Sequence, residues 1–137
     1  MHKSFITLAF LLLTGCAASS LNELQEKGHQ KIDEIPVNYQ AAYRNLRQQL
    51  EKCRGLDEKI LKRSRIDHQL YTDIQEAHFT FIQTSAFGSG SPTMDIRLKP
   101  INSEKTEMIT TTHYQAAMNA WHSDFVSWAS GNFTPCR

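Results

Sequence analysis

Apolar positions in this chain follow three different rhythms. Phe5 to Leu13 is an almost unbroken apolar run, too short for a membrane-spanning helix, which needs roughly 20 such residues. From Tyr39 the spacing becomes helical. Tyr39, Tyr43, Leu46, Leu50 and Cys53 recur at intervals of 4, 3, 4 and 3 and predict a helix to about Arg54. Asn38 is a favoured N-cap and Gly55 a favoured residue just past a helix end. The period then drops to two. Ile66, His68, Leu70 and Thr72 alternate with polar neighbours, and Ala77, Phe79 and Phe81 do the same, which predicts two antiparallel strands joined between Thr72 and Glu76. Ser85 to Pro92 has the composition of a flexible loop. Met94, Ile96 and Leu98 mark a third strand ended by Pro100, and Thr106 to His113 a fourth, rich in β-branched residues. A helical rhythm returns with Tyr114, Met118, Trp121, Phe125 and Trp128, again at 4, 3, 4 and 3, and Gly131 closes it. Ala116, Ala117 and Ala120 on this helix would permit close approach of a neighbour.

The expected fold is α+β: a four-stranded antiparallel meander with N- and C-terminal helices packed on one face. The other sheet face is left free for solvent or for docking. Residues 17–37 read as a tether, with weak helical spacing interrupted by Gly28 and ended by Pro36. As a flexible coil this stretch would span about 25 Å. The segment 56–65 reads as a polar connection with at most one helical turn at Ile60-Leu61.

The apolar run acquires a meaning from its flanks. His2 and Lys3 precede it, and Leu13-Thr14-Gly15-Cys16 follows. This three-part leader resembles the signal of bacterial lipoproteins, in which the leader is removed and the cysteine carries the fatty chains. The resemblance implies that residues 1–15 are lost, that Cys16 becomes the acylated first residue, and that its chains (palmitate among them) hold the protein on a bilayer. In the lipoproteins it resembles, an aspartate directly after the cysteine holds the protein at the inner membrane; Ala17 stands there instead, so the resemblance implies the periplasmic face of the outer membrane. The organisation then reads as leader 1–15, lipidated cysteine and tether 16–37, and a single domain 38–137.

Composition adds two constraints. The chain holds 15 Lys plus Arg and 14 Asp plus Glu, and losing Lys3 with the leader leaves the two signs equal. A near-neutral chain without a basic face lacks the electrostatic footprint of nucleic-acid binding. Of the three cysteines, Cys16 is assigned to the lipid, so Cys53 and Cys136 remain in a compartment that oxidises thiols and are expected to pair.

Chemistry-bearing motifs are sparse. His68, His78 and His113 lie on predicted strands but lack the spacing of a zinc site, and neither a metal nor another cofactor is called for. His122-Ser123-Asp124 has the residue types of a hydrolytic triad, yet consecutive helical side chains point about 100° apart and cannot form the chain of hydrogen bonds. Gly88-Ser89-Gly90-Ser91 lacks the lysine and helix of a phosphate loop. Asp67 and Asp73 have no apolar pocket to raise either acid. Phe87, Tyr71 and His78 are the candidate partner contacts.

The segment Ile35 to Arg44, then Cys53, the meander and the terminal Cys136, resembles a family of small Gram-negative lipoproteins to which no activity is attached. The small lipoproteins of the outer-membrane β-barrel assembly machine are similar in size and address, but they open with helices before their strands and carry a G-M-T-type motif that is missing here. The anchor, the tether, the stapled α+β body and the missing catalytic constellation lead to the expectation of a non-enzymatic, membrane-anchored periplasmic lipoprotein that binds a ligand or an envelope protein partner, with the second family as an analogy for an accessory role. The alternative is an envelope enzyme using His78, His113 or Tyr71 on the open sheet face.

Overall fold

In a computed structural model, residues 20–54, 64–84 and 90–136 are described. They form α1 (Leu21–Lys27), β1 (His29–Ile35), α2 (Tyr39–Arg54), β2 (Ser64–Tyr71), β3 (Glu76–Thr84), β4 (Gly90–Pro100), β5 (Thr106–Thr112) and α3 (Gln115–Ala129). The sheet is antiparallel with strand order β1-β5-β4-β3-β2, so the sheet has five strands where four were expected.

The correction lies in the segment read as a tether. Ser20 caps α1 by accepting a hydrogen bond from the Glu23 amide at 3.1 Å, and Glu23 pairs with Lys27 one turn on. Leu24 is fully buried against the sheet. Gly28 ends the helix where a Cβ would stand 2.5 Å from Leu24 O and 2.7 Å from Thr111 Cγ2, so the turn into β1 sits directly on β5. β1 then pairs along its whole length with β5, from His29↔Thr112 to Ile35↔Thr106. It is an edge strand whose exposed, charged side chains discourage pairing with another chain.

The capped helix is as the spacing predicts. Asn38 Oδ1 accepts from the Ala41 amide at 2.9 Å, and α2 runs to Arg54 with Ala42, Tyr43, Leu46, Gln49 and Leu50 buried. Gly55, the connection 55–63 and the loop residues 85–89, Phe87 among them, lie outside the described residues, as do the leader and Cys16.

β2 and β3 form the expected hairpin, its turn ending at Gln75 with φ of 54°. β4 starts earlier than its apolar rhythm suggests. Gly90, Ser91 and Pro92 pair with Thr84, Gln83 and Ile82. A register shift between Phe81 and Ile82 leaves Thr93 bulged, the kind of irregularity that lets a proline sit inside a ladder.

Helices α2 and α3 pack together on one sheet face, as expected, over Ile35, Ile66, Phe79, Met94, Ile96, Leu98 and Met108, with Phe125 and Trp128 closing the core from α3. The small-residue patch on α3 is not an approach surface: Ala116 and Ala120 are exposed, and Ala117 alone is half-buried. The third helix, α1, lies on the opposite face against β4 and β5, so that face is partly covered.

Cys53 and Cys136 form a disulfide with Cα atoms 5.2 Å apart. The tail it holds is fastened twice more. Buried Gln49 donates to Thr134 O at 2.7 Å, and Trp128 Nε1 donates to Thr134 Oγ1 at 2.6 Å. No helix among the described residues is long and apolar enough to cross a membrane.

Candidate functional site

The bridge fixes the last turn of α2 beside α3, and the two helices do not close fully over the sheet there. Between them is a cleft of about 330 Å³. Its base is the end of the sheet where the bulge lies: Ile66 from β2, Phe81 from β3, Thr93 and Met94 from β4, and Thr112 from β5. Ala117, Trp121 and Phe125 form the α3 wall, with Phe125 contacting Phe81 at 5.6 Å between ring centroids. Cys53 and Arg54 form the α2 wall, and Ser64, Arg65 and Tyr114 stand at the mouth. The volume falls at the small end of ligand pockets, roughly 300–1,000 Å³.

The electrostatics of the cleft are one-sided. The Arg54 guanidinium lies 3.7 Å from the Trp121 ring centroid, a cation–π contact that holds its planar fork in place. Burial lowers the proton affinity of Arg54, but an arginine starts so high that it stays cationic at neutral pH. Among the described residues no carboxylate pairs with it. Arg65 is paired with Asp67, Nε to Oδ1 at 3.1 Å, and both are exposed. No lining residue is acidic. The hydroxyls at the base are already used: Thr93 Oγ1 donates to Phe81 O, while Thr112 Oγ1 donates to Thr93 O and accepts from the Tyr114 amide. The arrangement offers an apolar slot with a fixed cation at its rim.

Three other polar clusters invite a catalytic reading. On the sheet face shared with α1, Tyr71 and His78 meet edge to face, with ring centroids 5.6 Å apart. His78 Nε2 lies 3.1 Å from Glu76 Oε2, and Lys99 Nζ donates to Glu76 Oε1 at 2.9 Å. Burial pushes the Glu76 carboxyl up, but the hydrogen bonds and charges of Lys99 and His78 outweigh it and hold the acid below its usual range. Tyr71 and His78, with Asp67, His68, Leu21, Gln69 and Thr80, line a shallow hollow of about 160 Å³. Glu76, bonded to His78, is stabilised as the anion and is ill suited to give up a proton.

The second cluster joins residues far apart in sequence. His122 on α3 meets Asp33 on β1 through Nε2 and Thr110 on β5 through Nδ1, the latter at 3.0 Å. Acid, imidazole and hydroxyl stand in triad order, yet Thr110 is fully buried and no substrate can reach its oxygen. The cluster fastens α3 to the edge of the sheet. In the third, fully buried Asp95 accepts from Gln25 of α1 at 3.0 Å and from Thr80 at 3.1 Å, with Arg97 Nε 3.8 Å away. It clamps α1 to the sheet.

Of the residues proposed from sequence, Tyr71 and His78 are brought together. His113 lies beyond β5, half-buried, and does not join them. His68 faces the helices, its Nδ1 2.8 Å from the Tyr43 hydroxyl. The three strand histidines therefore do not come together, although His68 and His78 border one hollow, and among the described residues no group of three His, Cys, Asp or Glu is placed to hold a metal ion. Asp73 sits in the exposed β2–β3 turn. Arg54 and its contact with Trp121 were not anticipated, although both residues lie on or beside the helical stripes. A scan of protein-family models finds none that matches this chain, and a search of curated proteins returns no match.

Proposed function

We propose that this chain is a lipid-anchored lipoprotein of the bacterial envelope, held by Cys16 on the periplasmic face of the outer membrane, whose domain binds a ligand or partner without transforming it. The lipobox supports the address. The observation that carries the binding role is the cleft: its rim cation Arg54 has no acidic partner among the described residues, whereas the other polar clusters are consumed by contacts within the fold. Binding sites keep polar groups unspent at the edge of an apolar concavity, and structural networks do not. A second reading, an envelope enzyme on the open sheet face, is favoured by the meeting of Tyr71 and His78.

Photo-crosslinking in cells distinguishes them. A benzophenone side chain is placed in turn at Tyr114 (cleft mouth), Tyr71 (open face) and Ile74 (exposed hairpin tip at the far end of the sheet). A specific adduct at 114 alone supports the cleft, and one at 71 alone transfers the function to the open face. The same adducts at all three positions refute both. A Cys16→Ser chain run in parallel is expected to leave the membrane fraction, and its retention there would refute the anchor.

A further inference from the structure

The chemistry of the cleft narrows its occupant. Its interior is built largely on Ile66, Phe81, Met94 and Phe125, with the Thr93 and Thr112 hydroxyls among them already bonded, so it favours hydrocarbon in the buried part of a ligand. Its rim is cationic through Arg54, whose guanidinium carbon lies 3.7 Å from the Trp121 ring centroid and whose N–H donors suit a carboxylate or phosphate. A further positive contribution comes from α3, a 15-residue helix whose N-terminus opens at the same mouth. Tyr114 at the N-cap position makes no side-chain hydrogen bond to the first turn, and no acidic residue stands in that turn. An uncapped helix start is a ready acceptor site for negative charge. The opposing field from the C-terminal end of α2 is met by Lys52 and Arg54 themselves. The base hydroxyls of Thr93 and Thr112 are spent on backbone partners, so a polar group buried deep in the slot would go unpaired. Hydrocarbon inside and negative charge at the mouth describe one class of molecule.

We propose that the cleft binds a single-chain anionic amphiphile, its acyl chain against Met94, Phe81 and Phe125 and its carboxylate or phosphate head on Arg54 and the start of α3. The inference rests on the cleft being the binding site. It adds the ligand's chemistry, which two sources can supply: a free fatty acid or a lysophospholipid.

The test uses the mature chain with Cys16→Ser, oxidised at Cys53–Cys136, and titrates it below each probe's micellar concentration. Binding is read by tryptophan fluorescence, because Trp121 lines the cleft, and by calorimetry. The probes are dodecanoate, a dodecanoyl lysophosphatidylglycerol, uncharged monododecanoylglycerol and cationic dodecyltrimethylammonium. At least one anionic probe is expected to bind about tenfold or more tightly than the uncharged one, as a charge-assisted hydrogen bond predicts. The cationic probe is expected to bind weakest. Preference for dodecanoate identifies a fatty acid, and preference for the lysophospholipid a headgroup phosphate. Arg54→Gln, at an exposed position, is expected to reduce the best anion to the level of the uncharged probe, while Lys31→Gln on β1 leaves it unchanged. A Met94→Trp chain that retains its circular dichroism is expected to lose all binding by filling the slot. Equal affinity for charged and uncharged chains, or an Arg54→Gln chain that binds as well as the parent, overturns the proposal. No binding by any probe, alongside a specific protein adduct at position 114, overturns the amphiphile and leaves the cleft as a protein-binding site.

Discussion

Removing the Cys53–Cys136 bridge should weaken this domain by an amount that the fold lets one work out. The two cysteines are 83 positions apart, so the cross-link restrains most of the unfolded chain. The chain-entropy relation gives about 4.5 kcal/mol at 25 °C for a loop of that size. The folded state sets what else is lost. The tail keeps two other fastenings, Gln49 to Thr134 O and Trp128 to Thr134 Oγ1, each worth about 0.5–1.5 kcal/mol. If they hold without the bridge, the loss is the loop contribution alone. If the tail leaves, Gln49 and Trp128 lose their partners and the loss approaches about 6 kcal/mol. Strain relief and residual structure in the unfolded chain reduce such values in practice, so a loss of about 3–5 kcal/mol is expected for Cys53→Ala/Cys136→Ala. A domain of this length has an unfolding entropy of about 0.25 kcal/mol/K, so Tm should fall by about 12–20 °C. Circular dichroism melts with and without reductant make the comparison, since reductant should lower the parent to the level of the double variant and leave the variant unmoved. Thr134→Val in both backgrounds tells whether the tail stays: by removing the acceptor of Trp128 Nε1 it costs stability in the bridge-free protein only if residue 134 is still docked. A fall in Tm below about 4 °C would refute the argument, because the bridge would then restrain nothing that folding has to order.

Three further outcomes follow from particular contacts. Gly28→Ala should destabilise by about 1–3 kcal/mol in urea unfolding, because its Cβ would meet Leu24 O and Thr111 Cγ2, and a gain from alanine's better helix propensity would contradict the close approach. Lys99 and His78 hold the folded Glu76 carboxyl below its unfolded range, near pH 4.3, so its contribution is present above that pH and is lost as pH falls through the lower folded value. Glu76→Gln should therefore cost under about 1 kcal/mol at pH 7, with the gap to the parent closing below pH 4, and a gap that widens on acidification would reverse the sign of the argument. His122→Leu should lower stability by about 1–3 kcal/mol by stranding the buried Thr110 hydroxyl, while amphiphile binding stays unchanged; loss of binding without loss of stability would give His122 a role in the site.

The parts of the fold that were legible in sequence are those where side chains carry the information. α2 could be read because its stripe repeats through four intervals and Asn38 caps it, and the bridge because two cysteines remained once Cys16 was assigned. β1 was not legible for a physical reason. His29–Ile35 buries one residue, Ile35, and is held by main-chain pairing with β5, which leaves no period-two pattern. Its inward-facing Asp33 is polar because it serves His122, the opposite of what an apolar alternation rule looks for. The start of β4 was missed likewise, since Gly90-Ser91-Pro92 has loop composition and joins the sheet through backbone beside a bulge. The cleft was half legible. Trp121 lay on a predicted stripe and Arg54 beside the staple, but their meeting depends on how two helices, remote in sequence, are set against each other by the bridge and the core.

The incorporation of α1 and β1 into the sheet changes how this domain would work on a surface. Leu21, the first residue of α1, is five positions after Cys16, so a chain anchored at Cys16 has a leash of at most about 18 Å instead of a long coil. Every encounter between such a domain and its own bilayer is then intramolecular, with an effective concentration in the millimolar range. A ligand that partitions into that bilayer would be captured even at modest affinity, whereas a target fixed across the periplasm would be out of reach. A leash that short would confine the anchored protein to the lipid surface beneath it.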